Sequence, residues 1–322
     1  MPKIHIAHSP DADDAFMFAP LFQGKVDRGS LEIVDVQEDI ESLNQKAIEG
    51  TYEVSAVSFH VLPSIAEKYL LLTTGACFGD RYGPVIVAKK PLKPKQLLKT
   101  KMGIPGKKTT AFLVFKLYEH SLTGEEKSGI CYSEVPFDQI VDRIVQGKLD
   151  AGLLIHEGQL TVADKGLHKI VDLGEWWHQE TGLPLPLGGL VVRRDLDPEI
   201  QRQIASLIRS SIQYALEHRE ETLQTALPFA RGLDPERTSQ FIEMYVNDLT
   251  VDFGRRGWRA IRKLFEKGVK AQVLTQKIDL ENILLRESST MPSSLSPAPE
   301  EPSSSAPSPE TEKDVPSPDS EA

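Results

Sequence analysis

The sequence predicts an α/β protein of two lobes, with a central cleft and a helical C-terminal part. Three observations carry that reading. Short apolar runs alternate with amphipathic segments from residue 3 to residue 193, the pattern of a β/α series. Two stretches interrupt it: Lys89-Lys90-Pro91-Leu92-Lys93-Pro94-Lys95, and Gly182-Leu183-Pro184-Leu185-Pro186-Leu187-Gly188-Gly189. Both read as passages of the chain between lobes. From Pro198 the pattern turns almost wholly helical. These give a discontinuous first lobe, 1–90 and 190–287, an inserted second lobe, 91–189, and a tail, 288–322. Two crossings beside a cleft suit a hinge-closing binding architecture.

Each element follows from local chemistry. Residues 3–8 alternate apolar and polar, a first strand. Ser9-Pro10-Asp11 breaks it, and Asp13 is expected to cap a helix over 14–23 that ends at Gly24. A strand is expected over 31–37, and Asp39 caps a helix over 40–49 with Ile40, Leu43, Ala47 and Ile48 on one face. Further strands are expected over 53–58, 70–77 and 84–88, with a short helix near 63–68. The second series reads strand 101–104, helix 110–120, strand 130–134, helix 138–146, strand 151–155, strand 168–172 and helix 175–181. A strand over 190–193 precedes helices over 198–217, 235–246 and 254–270. Residues 288–322 hold eight Pro and eleven Ser and no aromatic residue, so that tail is expected to be disordered.

Composition narrows the function. Of 322 residues 40% are hydrophobic and 26% charged, as in soluble globular proteins. The net charge is −10, and the tail alone holds five Glu and two Asp against one Lys. No basic patch stands out, so nucleic acid is not an expected partner. No apolar run approaches the ~18 residues of a membrane span, so no membrane partner is expected. The start of the chain lacks a charged leader followed by an apolar core, which points to the cytoplasm. Cys77 and Cys131 read as free thiols, too few and too far apart for a zinc site.

The strongest candidate for chemistry is His156. The run Gly152-Leu153-Leu154-Ile155 is a buried strand that stops at His156-Glu157-Gly158. A histidine where a strand ends is poorly placed for packing and well placed for a cleft. Its ordinary pKa of ~6.5 suits proton transfer at neutral pH. Glu157 orients it or faces solvent. Pro105-Gly106-Lys107-Lys108-Thr109-Thr110-Ala111 joins a strand to a helix whose free N–H groups suit a carboxylate, with Thr109 or Thr110 as cap. Ala56-Val57-Ser58 closes a strand, and Ser58 either donates to a ligand or caps the next segment. His8, Asp11, Asp13 and Asp14 have the look of metal ligands, but acids that start a helix explain them without a metal, and none is expected. Trp176 and Trp177 read as helix packing.

Taken together, these blocks resemble a known family. Ser9-Pro10 through Asp14 with Phe16, Glu38-Asp39-Ile40-Glu41-Ser42-Leu43-Asn44, Tyr82-Gly83-Pro84 and Pro105 to Ala111 match it in order. So do Leu154-Ile155-His156-Glu157, Gly182 to Gly188 and Tyr245-Val246-Asn247. The chain resembles the futalosine-pathway enzymes of menaquinone biosynthesis, most of all their dihydroxynaphthoate-forming branch. The resemblance implies a type-II periplasmic-binding-protein fold. It implies His156 as catalytic base and substrate contacts from Ala56, Val57, Ser58, Thr109, Thr110 and Ala111. The implied reaction is carbon–carbon cleavage of a small molecule, cyclic dehypoxanthine futalosine, to 1,4-dihydroxy-6-naphthoate, with no cofactor. Two alternatives stay open: a chorismate dehydratase of the same pathway, and a non-enzymatic solute-binding protein. The oligomeric state is not legible. After Ser9-Pro10 the family commonly shows Cys-Pro-Asn-Asp-Thr, whereas Asp11-Ala12-Asp13-Asp14-Ala15 stands here. An added charge at Asp13 would bear on the choice of substrate.

Overall fold

A computed structural model describes residues 3–124 and 130–285; the tail expected to be disordered, 288–322, lies outside the described residues. The chain begins β1 (Lys3–His8), α1 (Ala12–Phe22), β2 (Glu32–Gln37), α2 (Ile40–Glu49), β3 (Val54–Ser58), α3 (Leu62–Ile65), β4 (Tyr69–Leu71) and β5 (Cys77–Gly79). It continues β6 (Val85–Ala88), β7 (Lys101–Ile104), α4 (Thr110–Thr123), β8 (Cys131–Glu134), α5 (Ile140–Val145), β9 (Ala151–Leu154), β10 (His168–Asp172) and α6 (Leu173–Thr181). It ends β11 (Leu185–Arg193), α7 (Pro198–Glu217), α8 (Arg219–Ala226), α9 (Pro235–Tyr245), α10 (Asp248–Val251), α11 (Gly254–Lys270) and α12 (Leu280–Ile283).

The strands form two sheets. The first has the order β2–β1–β3–β11–β4, with β5 pairing β11 as well. Its β1 runs parallel to β2 and β3, and β11 returns antiparallel to β3, β4 and β5. The second has the order β10–β6–β9–β7–β8. There β7 is parallel to β8 and β9, while β6 is antiparallel to β9 and β10. The expected α/β class is therefore what forms.

The first sheet carries the larger core. Ile4 and Ile6 of β1 pack with Phe16, Met17 and Leu21 of α1, Ile204 and Ile208 of α7, and Phe241 of α9. Burial of such side chains stabilises by ~1.5–3 kcal/mol each. Every residue from Ala12 to Leu21 is buried, so α1 is a central helix rather than an amphipathic one. Pro20 interrupts its last turn. The Leu21 N–H donates to the Ser211 hydroxyl at 3.1 Å, and that hydroxyl donates to the Met17 carbonyl at 2.7 Å, so α7 threads a polar atom into α1. A second core joins Val85, Val87, Ile140, Ile144 and Leu154 around the second sheet.

Local chemistry missed some boundaries. The helix after β1 starts at Ala12 with Asp11 at the cap position, not at Asp14 with Asp13 capping. The strand expected over 70–77 is two strands, because Gly75 turns at φ +74° between β4 and β5. Conversely, the Leu/Pro/Gly stretch read as a passage between lobes is mostly strand: β11 begins at Leu185, and its register shifts between Pro186 and Gly188. A proline without a ladder donor is tolerated at such an irregularity.

The passages from sheet to sheet lie at 80–84 and at 173–184, while the Lys/Pro-rich stretch connects β6 to β7 inside the second sheet. The passages touch backbone to backbone. The Leu173 N–H donates to the Pro84 carbonyl at 2.9 Å, and a Cβ added at Gly174 would lie 1.9 Å from the Tyr82 carbonyl oxygen. Gly174→Ala is therefore expected to force the passages apart. Overpacking of ~2–3 kcal/mol lowers the thermal midpoint by roughly 4–10 °C. Calorimetry checks this, and an unchanged midpoint would show that the contact is not needed.

Candidate active site

A cavity opens where the two sheets meet. It encloses about 790 Å³ of space free of atoms, the open solvent at its mouth included. Ser9, Asp11 and Asp13 enter it beyond β1, and Ala56 and Val57 from β3. Ala111 enters from the start of α4, and Ile155 and His156 from the end of β9. Leu187 to Leu190 of β11 supply much of the apolar wall, with Phe241 and Tyr245 beyond. Strand ends that converge on a crevice are the usual ligand location in α/β sheets.

His156 sits in a short 3-10 turn, 156–159, that follows β9. Its φ is +55°, a left-handed conformation that costs a non-glycine residue ~1–3 kcal/mol. Its Nδ1 meets Asp11 Oδ2 at 2.9 Å, and its Nε2 is buried with no hydrogen-bond partner among the described residues. Burial works against a charge on the ring, but the adjacent Asp11, by charge and hydrogen bond, outweighs it and raises the pKa to about 9. Glu157 and Asp13 add to that rise.

Asp11 is the acid beside His156 Nδ1, although it stands at the N-cap of α1. Its side chain makes no cap bond there, forgoing the ~1 kcal/mol such a bond contributes. It faces Arg231 Nη2 at 2.7 Å, and the Ser9 hydroxyl donates to it. Burial raises its pKa, but His156 and Arg231 prevail and bring it to about 2. Glu157 is buried rather than solvent-facing, and its Oε1 has no hydrogen-bond partner among the described residues. Asp13 is buried too. Burial, then Asp14 and Asp11, drive its pKa well above the carboxylate range and favour the neutral acid. Burial brings Asp14 to about 6, with His8 opposing, while its Oδ2 accepts the Ser9 N–H at 2.8 Å. His8 is tied elsewhere: Nε2 meets Asp35 at 2.9 Å and Nδ1 meets the Ser9 carbonyl at 2.8 Å. Both partners accept, so the ring donates twice and is charged.

The two segments implied as substrate contacts come together. The His60 N–H donates to Thr110 Oγ1 at 3.3 Å, and His60 Nδ1 meets the Thr109 carbonyl at 3.1 Å. Ala56, Val57 and Ala111 line the cavity. Ser58 lies behind them: its N–H donates to Asn44 Oδ1 at 2.8 Å, and its hydroxyl accepts from Asn44 Nδ2 at 3.1 Å. Thr109 caps α4, accepting the Phe112 N–H at 3.2 Å and donating to the Gly106 carbonyl at 2.8 Å. Its hydroxyl is thus engaged, but the N–H groups of Thr110 and Ala111, first in the helix, have no partner within it. Trp177 is fully buried with Nε1 donating to the Pro184 carbonyl at 3.1 Å, and Trp176 packs edge-on against Tyr118.

The sequence singles out Asp11 only as one of several acids at a helix start, and Arg231 not at all. A Ser-Pro-Asp-x-Asp-Asp run reads as helix capping whichever acid performs it. The one available signal was excess, because three acids at one helix start exceed what a cap and the helix dipole use.

Two β/α sheets joined by two passages, with a cavity at their strand ends, define the fold of the periplasmic binding proteins. A Candida albicans protein described as having the generic periplasmic binding protein structural fold superposes with a TM-score of 0.65 at 14% identity, over 88% of this chain and 96% of that one. The menaquinone biosynthesis family model matches residues 4–270, and the chain belongs to that family. A Thermus thermophilus protein named "1,4-dihydroxy-6-naphtoate synthase" is 36% identical over 265 residues, 82% of this chain and 93% of that protein. A solved Archaeoglobus fulgidus structure matches at 43% identity with a TM-score of 0.79, over 84% of this chain and 98% of that one.

Proposed function

We propose that the protein is a carbon–carbon lyase that converts cyclic dehypoxanthine futalosine to 1,4-dihydroxy-6-naphthoate, with His156 as the proton acceptor. Membership of the menaquinone biosynthesis family and the name of the Thermus relative support the reaction. One observation carries the role of His156: its Nδ1 is held by Asp11 while its buried Nε2 has no partner, on a ring that lines the cavity. That nitrogen is the one available to a substrate proton.

In this reading the apolar wall of Leu187, Leu190 and Val57 takes the flat ring system. The N–H groups of Thr110 and Ala111 hold the substrate carboxylate at the start of α4. Ala56 and Ser58 fix the opposite side, Ser58 through its tie to Asn44. Thr109 contributes as the cap that aims the helix end. Proton removal accompanies cleavage of the carbon–carbon bond, which releases the sugar-derived ring and leaves the dihydroxynaphthoate, and aromatisation of the product ring drives the step. The two sheets mark two lobes that close over the substrate and exclude water. No helix among the described residues is long and apolar enough to cross a membrane, and the reaction is assigned to the cytoplasm.

Incubating the purified chain separately with cyclic dehypoxanthine futalosine and with chorismate tests the proposal. Release of 1,4-dihydroxy-6-naphthoate from the first alone is the expected result. Formation of 3-enolpyruvylbenzoate from the second would make the protein a dehydratase. Tight binding without chemical change would make it a solute-binding protein.

A further inference from the structure

Asp11, His156, Phe137 and Arg231 form a closed circuit of contacts. Asp11 Oδ2 lies 2.9 Å from His156 Nδ1. The His156 ring packs on Phe137, centroids 5.0 Å apart, and the Arg231 guanidinium lies 4.5 Å from the Phe137 centroid. Arg231 closes the circuit on Asp11 at 2.7 Å. The members come from distant parts of the chain. Asp11 ends the loop after β1 of the first sheet, and Arg231 precedes α9. Phe137 and His156 follow β8 and β9 of the second sheet.

We propose that Asp11 is a positioning residue for His156: clamped by Arg231, it accepts the Nδ1 proton and so leaves Nε2 as the nitrogen that exchanges a proton with the substrate. This rests on the reading of His156 as proton acceptor. With Nδ1–H pointed at a carboxylate, the neutral ring is fixed in one tautomer, and the bare lone pair lies on Nε2. Asp11 is 1% exposed and serves no cap, so its carboxylate is free of the helix end and is shared among His156, Arg231 and the Ser9 hydroxyl. Because the partners hang from different sheets, the base is aimed only when the two sheets meet as they do here. Phe137, tilted 59° to the imidazole, and Arg231 extend the contact, so His156 is held at its ring and at Nδ1. Glu157, next in sequence to His156, has no bond to the ring and does not take this role.

The charged and titratable groups around His156 are Asp11, Asp13 and Asp14 at the start of α1, Glu157 in its own turn, and Arg231 behind Asp11. Of these Asp11 alone is in bonding contact, so its removal has a distinct signature. The test is a ¹⁵N-histidine NMR titration of the full chain, wild type against Asp11→Asn, with kinetics in parallel. The expected result is a wild-type ring that, once neutral above its midpoint, keeps its proton on Nδ1, and a midpoint that falls by more than about one pH unit in Asp11→Asn. The value of kcat falls ~10²–10⁴-fold, as for the loss of an orienting carboxylate, while KM stays within about threefold. A merely structural role would lower the thermal midpoint or the active fraction and leave the His156 titration where it was. An unchanged midpoint and tautomer in Asp11→Asn would overturn the proposal. Should Asp11→Asn not fold, Arg231→Ala at a partly exposed site carries the same titration, with a smaller fall expected and no shift contradicting the clamp. The titration needs no substrate. A wild-type chain that shows the signature but fails to turn over the cyclic futalosine would defeat the proposed reaction and leave the pair standing.

Discussion

His156→Gln is expected to abolish turnover of the cyclic futalosine substrate while the protein stays folded. General acid–base catalysis contributes ~10²–10⁴-fold, so kcat falls by about that factor. Glutamine retains a polar side chain of similar reach, which keeps the cavity lined, but it cannot hold a proton at neutral pH. The backbone supplies an internal control. At φ +55° a glycine is at ease and an alanine is not. His156→Gly should therefore melt a few degrees above His156→Ala, by ~1 kcal/mol of relieved strain, and both should be inactive. Inactivity that followed stability instead of the imidazole would contradict the role assigned to the ring.

The pH profile is the second large effect. Only neutral His156 accepts a proton. Its pKa of about 9 stands above the ordinary histidine value, because Asp11 stabilises the charged ring more than burial disfavours it. Below that value the neutral fraction falls about tenfold for each pH unit. The value of kcat/KM, which reports the free enzyme, should thus climb by roughly fiftyfold from pH 7 to pH 9 and level off about twofold higher above pH 10. In Asp11→Asn the plateau should begin at lower pH and lie lower. Stopped-time assays in buffers of constant ionic strength measure this. A profile flat from pH 7 to pH 9 would mean that proton transfer to His156 does not limit the free enzyme.

The sequence was informative where the determinants are local. The end of β9 at His156 shows as an apolar run halted by a polar turn, and the helix starts at Asp39, Thr109 and Pro198 show as caps and a proline. The class of fold followed from the β/α order and the family from its blocks. What escaped is long-range. Asp11 and His156 pair across 145 positions, and nothing in either local segment names the other. The choice of Asp11 over Glu157 as orienting acid depends on which loop faces which across the cavity. Sheet membership is equally non-local. Lysines and prolines at 89–95 announce an exposed connection correctly but cannot say that it stays within one sheet. The true passage at 80–84 is marked only by backbone packing against Gly174, visible in sequence as an unremarked glycine. Strand β11 runs through prolines that argue against a strand until the irregularity between Pro186 and Gly188 accommodates them.

The most direct measurement is a single-turnover reaction: enzyme in excess over cyclic dehypoxanthine futalosine, sampled for 1,4-dihydroxy-6-naphthoate, with His156→Gln alongside. The wild type should convert the bound substrate stoichiometrically, and the variant should bind it and release none. Naphthoate formation by the variant at the wild-type rate, or its absence from the wild type despite bound substrate, would contradict the assignment of this cavity as the site of cleavage with His156 as its base.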